Sequence, residues 1–409
     1  MALRVRGLVA AGLVAGTRDV LDARPGDERG GGRGGGESRI PEALVTRGWA
    51  SFLLSLSNER VEVFEARGVD ADWGDAPASL AAMVEEVRAV CAMPSLSTEP
   101  ASRPARRLET PRKRAQIDAF AEVVMPLAGR AIRVVDVGSG HGHLTREIAD
   151  RIALPVVGLE RDVDLARRAR ALPSPGAPEF AVRDVLRDGL PLRPGDCAIG
   201  LHACGELGDA MVESLGAVGG HASVALVGCC LQKRRAASRR PLVLALGSQE
   251  WGSALDLPRP LLGLSNLTAR DDGVEATREE NVAGRERRLA LHRLLSVRLG
   301  ALRFGAEIDG LNRRAAQGEL SSLVARAFEH RGLGVPSAAE IDGAATWARA
   351  EHARARRLSL PRSMLARALE VFVLLDRAVY LEERGFAVSV GTVFASRFSA
   401  RNLGLVGSR

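Results

Sequence analysis

The stretch "VVDVGSGHGHLTREIA", Val134 to Ala149, limits the fold more than any other part of this 409-residue chain. A short apolar run meets three glycines spaced G-x-G-x-G and passes straight into an amphipathic segment. That is the pattern of a strand, a tight loop and a helix whose free N–H groups face a ligand. From Arg133 onward apolar strands are read at 133–137, 156–160, 179–183, 197–202 and 222–228, with helices between them. This alternation predicts an α/β sheet with mostly parallel strands. The helix after the loop carries Leu144, Ile148 and Ile152, and "ELGDAMVESLGAV" carries Leu207, Met211 and Leu215, stripes at four-residue spacing that should pack on the sheet. The chain closes with a long helix, "MLARALEVFVLLDRAVYLEERG", and two β-like runs expected to return to the sheet edge as an antiparallel hairpin.

The rest of the chain reads as decoration around that sheet. Residues 1–39 are expected to be a disordered or low-complexity tail, because "RPGDERGGGRGGGES" holds nothing that could bury a core. The preceding "MALRVRGLVAAGLVAG" comes close to a short signal-peptide apolar region but lacks an A-x-A site, and a loose tail is the plainer reading. A helical unit is expected over 40–110 and the first part of the sheet domain over 111–240. An arginine-rich, mainly helical insertion or cap follows over 241–360, and the last helix and hairpin occupy 361–409.

No run reaches the roughly 18 apolar residues of a membrane span, so no membrane partner is expected. The net charge of +7 comes almost wholly from arginine, since Lys113 and Lys233 are the only lysines. It suits an anionic partner such as RNA, or equally a solvated arginine surface. Five cysteines without regular spacing fit a reducing, cytoplasmic setting.

The loop chemistry then narrows the ligand. Neither G-x-G-x-x-G nor a G-K-[ST] ending occurs, so dinucleotide and nucleoside triphosphate phosphates are disfavoured. Asp136 instead precedes Gly138, Ser139, Gly140 and Gly142, and a carboxylate beside such a loop suits a cationic ligand. S-adenosylmethionine carries both a sulfonium and an ammonium. Glu160 ends the second strand, where a carboxylate accepts ribose hydroxyls. Asp184 ends the third, within reach of an adenine amino group, although a polar cap is the common role of a strand-end Asp.

The fourth and fifth strands run into "GLHACGEL" and "LVGCCLQKR". In a sheet of order 3-2-1-4-5 these tips line the crevice at the switch point. His202, Cys204 and Glu206 are therefore the catalytic candidates, with Cys229 and Cys230 on the acceptor side. His202 is the first choice for taking a proton from the acceptor. A metal held by these residues matches no standard zinc spacing and is not expected, and Cys204 as a covalent nucleophile is the lesser reading beside packing as a small apolar group.

The segments "LETPRKRAQIDAF", "VVDVGSGHGHLTREIA", "VGLERD", "GLHACGEL", "VGCC" and "LLDRAVYLEERG…SARNLGLV" together resemble the methyltransferase-like protein 25 family. They are also similar to tRNA-nucleoside methyltransferases with a related H-x-C-G motif. The resemblance implies a class I methyltransferase fold, Rossmann-like, that binds S-adenosylmethionine through Asp136, Gly138, Gly140, Gly142 and Glu160. It also implies that Lys113 stands at the cofactor mouth, pairing the methionine carboxylate or an acceptor phosphate, or simply forming a basic face. The expected acceptor is a macromolecule, RNA or protein. Glu206 stands where the family usually has Asp, and Leu231–Gln232 where it has an aromatic–His pair, departures that keep a non-catalytic cofactor-binding scaffold as the alternative. "LHACG" lacks the Asn/Asp-Pro-Pro-aromatic clamp of adenine amino methylation, which is not predicted.

Overall fold

A parallel strand buried on both faces needs an apolar run, which the runs at 197–202 and 222–228 supply, whereas the run at 179–183 is half-exposed as an edge strand can be. The computed structural model describes the chain except residues 1–2, 24–39, 98–103, 106–108, 244–250, 267–277, 301 and 312–317. The strands are β1 (Arg133–Val137), β2 (Val156–Glu160), β3 (Glu179–Val182), β4 (Asp196–Cys204) and β5 (Ser223–Cys229), followed by β6 (Ala387–Thr392) and β7 (Leu403–Ser408). They form one seven-stranded sheet of order β3-β2-β1-β4-β5-β7-β6. The first five are parallel, and β7 inserts antiparallel beside β5, from Ser223 opposite Ser408 to Val227 opposite Gly404. The second run of the expected hairpin is thus the inner strand. This is the Rossmann-like arrangement of class I methyltransferases, with the reversal between β1 and β4 opening a crevice at their carboxyl ends.

The helices that matter for the site are α1 (Pro111–Ala128), α2 (His143–Ala149), α3 (Val163–Ala171), α4 (Glu206–Ala217) and α5 (Ala338–Glu382). Thr110 caps α1 by accepting from the Lys113 N–H at 3.2 Å, and Pro111 sits in the first turn, where a missing N–H costs nothing. Ile117, Phe120 and Val124 of α1 join Leu144 and Ile148 of α2 in the core under β1, β4 and β5. Ile152 packs on the same core from beyond the helix, since α2 ends at Ala149.

Two compact units emerge. The first comprises Met1–Arg18, Glu86–Asp272 and Leu365–Arg409; the second, Asp19–Glu85 and Gly273–Met364. Most of the N-terminal helical region and of the helical insertion, far apart in sequence, therefore belong to one unit. Within it Arg356 pairs with Glu65 at 2.7 Å, Phe64 stacks on Trp73, and Leu291, Leu295, Leu323, Val324 and Phe328 form a core of their own. The loose tail expected over 1–39 is corrected in its first part, because Leu3–Gly16 is a helix that buries Ala10, Ala11, Leu13 and Val14. Small residues there let the helix pack closely. The glycine tract at 24–38 lies outside the described residues.

One buried ion cluster ties the tips of β4 and β5 to the part of α5 after Leu365. Asp209 of α4 accepts from Arg377 Nε at 2.9 Å, Arg239 Nη2 at 3.1 Å and Arg234 Nη2 at 3.1 Å. Asp376 accepts from Arg239 at 2.7 Å and from the Leu242 and Val243 N–H groups. Arg377 also donates to the Gly205 carbonyl at 2.9 Å. Cβ atoms at Gly208 and Gly228 would lie 2.8 and 3.1 Å from its guanidinium, which explains both glycines. Burial alone would raise the Asp209 carboxyl, but Arg239 and Arg377 hold it well below the usual carboxylate range. Removing one member of such a cluster leaves a buried charge uncompensated. Asp209→Asn is expected to lower unfolding stability by roughly 3–5 kcal/mol in urea titration, whereas a cost below about 1 kcal/mol would show that the cluster is solvated.

Candidate functional site

Three consecutive turns in the loop after β1 need positive φ. Gly138, Gly140 and Gly142 stand at φ +76°, +55° and +73°, a region that L side chains avoid. At Gly142 a Cβ would also come within 2.4 Å of the Phe180 ring. At Gly140 it would meet nothing within 4 Å, so that backbone borders open space. The Gly138 and Ser139 N–H groups donate to the Leu159 carbonyl, and Gly140 N–H donates to Glu160 Oε2 at 2.9 Å. Glu160 Oε1 accepts from Asp162 N–H at 2.9 Å, so this carboxylate at the tip of β2 holds the loop in place. The Ser139 hydroxyl is buried without a hydrogen-bond partner among the described residues.

Behind the loop Asp136 is 2% exposed and accepts from the Thr145 hydroxyl at 2.7 Å. Burial dominates its titration and pushes it up to about 6, against the opposing pull of Thr145 and Lys113. Lys113, half-buried at the start of α1, has its own pKa lowered by burial despite the nearby Asp136 and Cys229, and makes no side-chain hydrogen bond among the described residues. One turn in, buried Arg114 pairs with Glu147 of α2 at 2.7 Å and with Asp118, fastening the helix that carries Lys113 to the helix that follows the loop.

The structure places two of the expected residues in other roles. Asp184 caps the turn at Val185–Asp188 through Leu186 N–H at 3.1 Å and pairs with exposed Arg235 at 3.0 Å. Glu206, expected to be catalytic, accepts from Arg235 N–H at 2.7 Å, while its own N–H donates to the Lys233 carbonyl. It clamps the loop after β5 onto the first turn of α4. Its place beside the cysteines in sequence hides this, because the loop it clamps lies some thirty residues on.

At the crevice the β4–β5 register slips between Leu201 and Ala203, and His202 is the bulged residue at φ +68°. The expected end of β4 at 202 therefore moves to Cys204, beyond the bulge. His202 Nε2 lies 2.8 Å from Gln116 Oε1, and Gln116 Nε2 donates to the Phe398 carbonyl at 2.8 Å. That second bond fixes the amide, so His202 must carry its proton on Nε2 and turn a lone pair out at Nδ1. Burial, then Lys113 and Arg401, push the ring down to about 3. It is neutral at physiological pH and a weak proton acceptor, a change from the general base read in the sequence.

Cys204 and Cys229 face each other in register with sulfurs 2.6 Å apart, outside the 2.03–2.05 Å of a disulfide, and all five cysteines are free thiols. Cys229 S–H donates to the His202 carbonyl at 3.3 Å, and contacts with the other two thiols followed by burial push it well up. Cys230, at φ +37°, takes a bond from Arg401 Nη1 at 2.7 Å. Bonds from Cys204 and Cys229, with Arg401 and Lys233 nearby, pull its thiol down, whereas the Cys204 thiol is raised. The Arg401 guanidinium thus favours the thiolate form at Cys230 rather than at Cys204. Gln116 and Arg401, which set the state of His202 and Cys230, were missed in the sequence, although both lie in segments quoted there, "AQIDAF" and "SARNLGLV".

Residues 112–237 match a family model described as a methyltransferase domain. Similar solved structures include a TehB-like S-adenosylmethionine-dependent methyltransferase from Corynebacterium glutamicum, with 17% identity over 26% of this chain and 61% of that one at TM-score 0.22. The plantazolicin methyltransferase BpumL follows, with 13% identity over 42% and 61% at 0.24. Coclaurine N-methyltransferase has 12% identity over 90% and 100% at 0.26. The chain spans about three-fifths of the length of the first two. The matched segment, residues 112–237, spans β1 to β5 and the glycine loop, and the family model it matches describes a domain of enzymes that use S-adenosylmethionine as methyl donor.

Asp136 gives this site a pH signature. A carboxyl raised from 3.8 to about 6 in the folded state contributes stability that is complete below the unfolded value and lost as pH rises through the folded one. Without ligand, stability is expected to fall by about 3 kcal/mol between pH 4 and 6.5 relative to Asp136→Asn, measured by denaturant titration across that window. Parallel curves for the two proteins would refute the assignment.

Proposed function

We propose that this chain transfers a methyl group from S-adenosylmethionine to a macromolecular acceptor, RNA or protein, at the tips of β1, β4 and β5. The observation that carries the cofactor reading is the unpartnered, buried Ser139 hydroxyl next to the open space at Gly140, with Glu160 at the edge of the same loop. These residues fit the group. Each Glu160 oxygen keeps a lone pair beyond its backbone bond, and the two suit ribose hydroxyls. Asp136 suits the ammonium end and Lys113 the carboxylate. Asp184 supports adenine through the turn it caps, its own oxygens being held by Leu186 N–H and Arg235.

Once bound, the sulfonium supplies an activated methyl with a good leaving group, so the chain has to align the acceptor and exclude water. His202, bulged between the glycine loop and the cysteines, accepts a hydrogen bond at Nδ1 and orients the acceptor, while Gln116 holds the ring. Cys229 and Cys230 line the acceptor side. The macromolecular acceptor is argued from the excess of arginine and from a second helical unit that methyl transfer itself does not need. The resemblance to methyltransferase-like protein 25 belongs to this same proposal.

Calorimetric titration with S-adenosylhomocysteine is expected to give one site per chain, weakened at least about tenfold in Glu160→Ala and in Gly140→Ala, each a loss of roughly 1.4 kcal/mol. Labelled methyl transfer into fractionated lysate should yield product destroyed by nuclease or by protease, which names the acceptor. Tight cofactor binding with no label transferred would instead favour the scaffold. In the active case His202→Ala keeps cofactor affinity and loses turnover, and the wild-type pH–rate curve shows no limb near pH 6.5, because the ring titrates near 3. A limb at 6.5 that vanishes in His202→Ala would restore the general base.

A further inference from the structure

We propose that Cys204, Cys229 and Cys230 hold a zinc ion at the tips of β4 and β5, in three-thiolate coordination with a fourth position open to water or to the acceptor. Their sulfurs all lie within 4.8 Å of one another, and no other His, Cys, Asp or Glu joins the group among the described residues. From the sequence a metal on His202, Cys204, Cys229 and Cys230 was not expected, because Cys204 and Cys229 are 25 residues apart and meet only through strand pairing. Tetrahedral zinc–sulfur bonds of about 2.3 Å separate sulfurs by about 3.8 Å, a spacing that small side-chain rotations reach from the observed cluster. Three soft thiolates select zinc over the oxygen-seeking calcium and magnesium.

The surroundings suit the charge of such a centre. Three thiolates and one divalent cation leave one net negative charge, and Arg401 Nη1 already donates to Cys230 Sγ at 2.7 Å. Outer partners of this kind orient metal ligands and stabilise them. Cys230 adopts φ +37°, an uncommon conformation for a residue with a side chain, and the adjacent bulge at His202 does the same at +68°. Two such residues at neighbouring strand tips mark a geometry kept for a purpose other than packing. Binding releases the thiol protons to solvent, including the one Cys229 now donates to the His202 carbonyl. Three protein ligands are the pattern of zinc sites that keep a position for chemistry, whereas closed structural sites use four.

The test uses the full chain purified under reductant. Metal analysis after gel filtration in zinc-supplemented buffer is expected to give one zinc per chain. Replacement by cobalt should give thiolate-to-metal charge-transfer absorption, and alkylation with mass mapping should show Cys204, Cys229 and Cys230 protected until a chelator is added. Cys230→Ser is expected to weaken zinc at least about tenfold, Arg401→Gln by roughly 10- to 100-fold, and Cys91→Ser not at all. Should the cysteine variants fail to fold, the wild-type cobalt spectrum decides. Zinc at background level, or a Cys204–Cys229 disulfide recovered from zinc-replete protein, overturns the site. S-adenosylhomocysteine titration reads the cofactor pocket separately, so loss of this proposal leaves the methyltransferase reading standing.

Discussion

The guanidinium of Arg377 is the contact on which the crevice end of the sheet depends. It donates to the Gly205 carbonyl just after β4 and to the Asp209 carboxylate one turn into α4, and it fills the space beside Gly228 near the end of β5, where a Cβ would lie 3.1 Å from it. A buried ion cluster is a poor source of net stability, since apolar residues of similar volume often serve as well. Its value here is positional. Two strand tips that would otherwise splay after a bulge are held at one spacing, and the candidate chemistry of His202, Cys204, Cys229 and Cys230 stands on them. The same cluster gives Gly205, Gly208, Asp209, Gly228, Asp376 and Arg377 a structural part that needs no role in chemistry.

The opposite wall of the crevice is built by the same device. Arg114, buried between α1 and α2, pairs with Glu147 and Asp118 and sets Lys113 against Asp136 beside the glycine loop. The two walls meet through a relay of neutral hydrogen bonds, from the Phe398 carbonyl through Gln116 to His202. The relay puts the imidazole proton on the inner nitrogen. A histidine so held has lost its usual value as a proton store and kept its value as a fixed acceptor.

Much of the architecture was legible because periodicity is a local property. The starts of β1, β2 and β3 fall where the apolar runs place them, and the C-terminal pair is antiparallel as its turn suggested. Of the candidate site, the glycine loop with Glu160 was legible for the same reason, since a strand, three positive-φ glycines and a strand-end carboxylate sit within one βαβ unit. Glu206 and Asp184 read as chemistry and turned out to be fastened to Arg235 and to the backbone, because their partners come from a loop that follows β5. The apolar N-terminus read as a tail and became a helix, because its small residues pack only when a distant surface is present.

The sequence by itself determined the parallel sheet, the loop of three positive-φ glycines after β1 and the strand tips where the candidate residues gather. Those follow from backbone sterics and from hydrophobic patterns a few residues long. Only the tertiary structure decided which thiol Arg401 reaches, which nitrogen of His202 faces Gln116 and that three cysteines form one cluster. Each of these depends on groups brought together across tens or hundreds of residues, in surroundings where burial and a single guanidinium outweigh the intrinsic chemistry of the side chain.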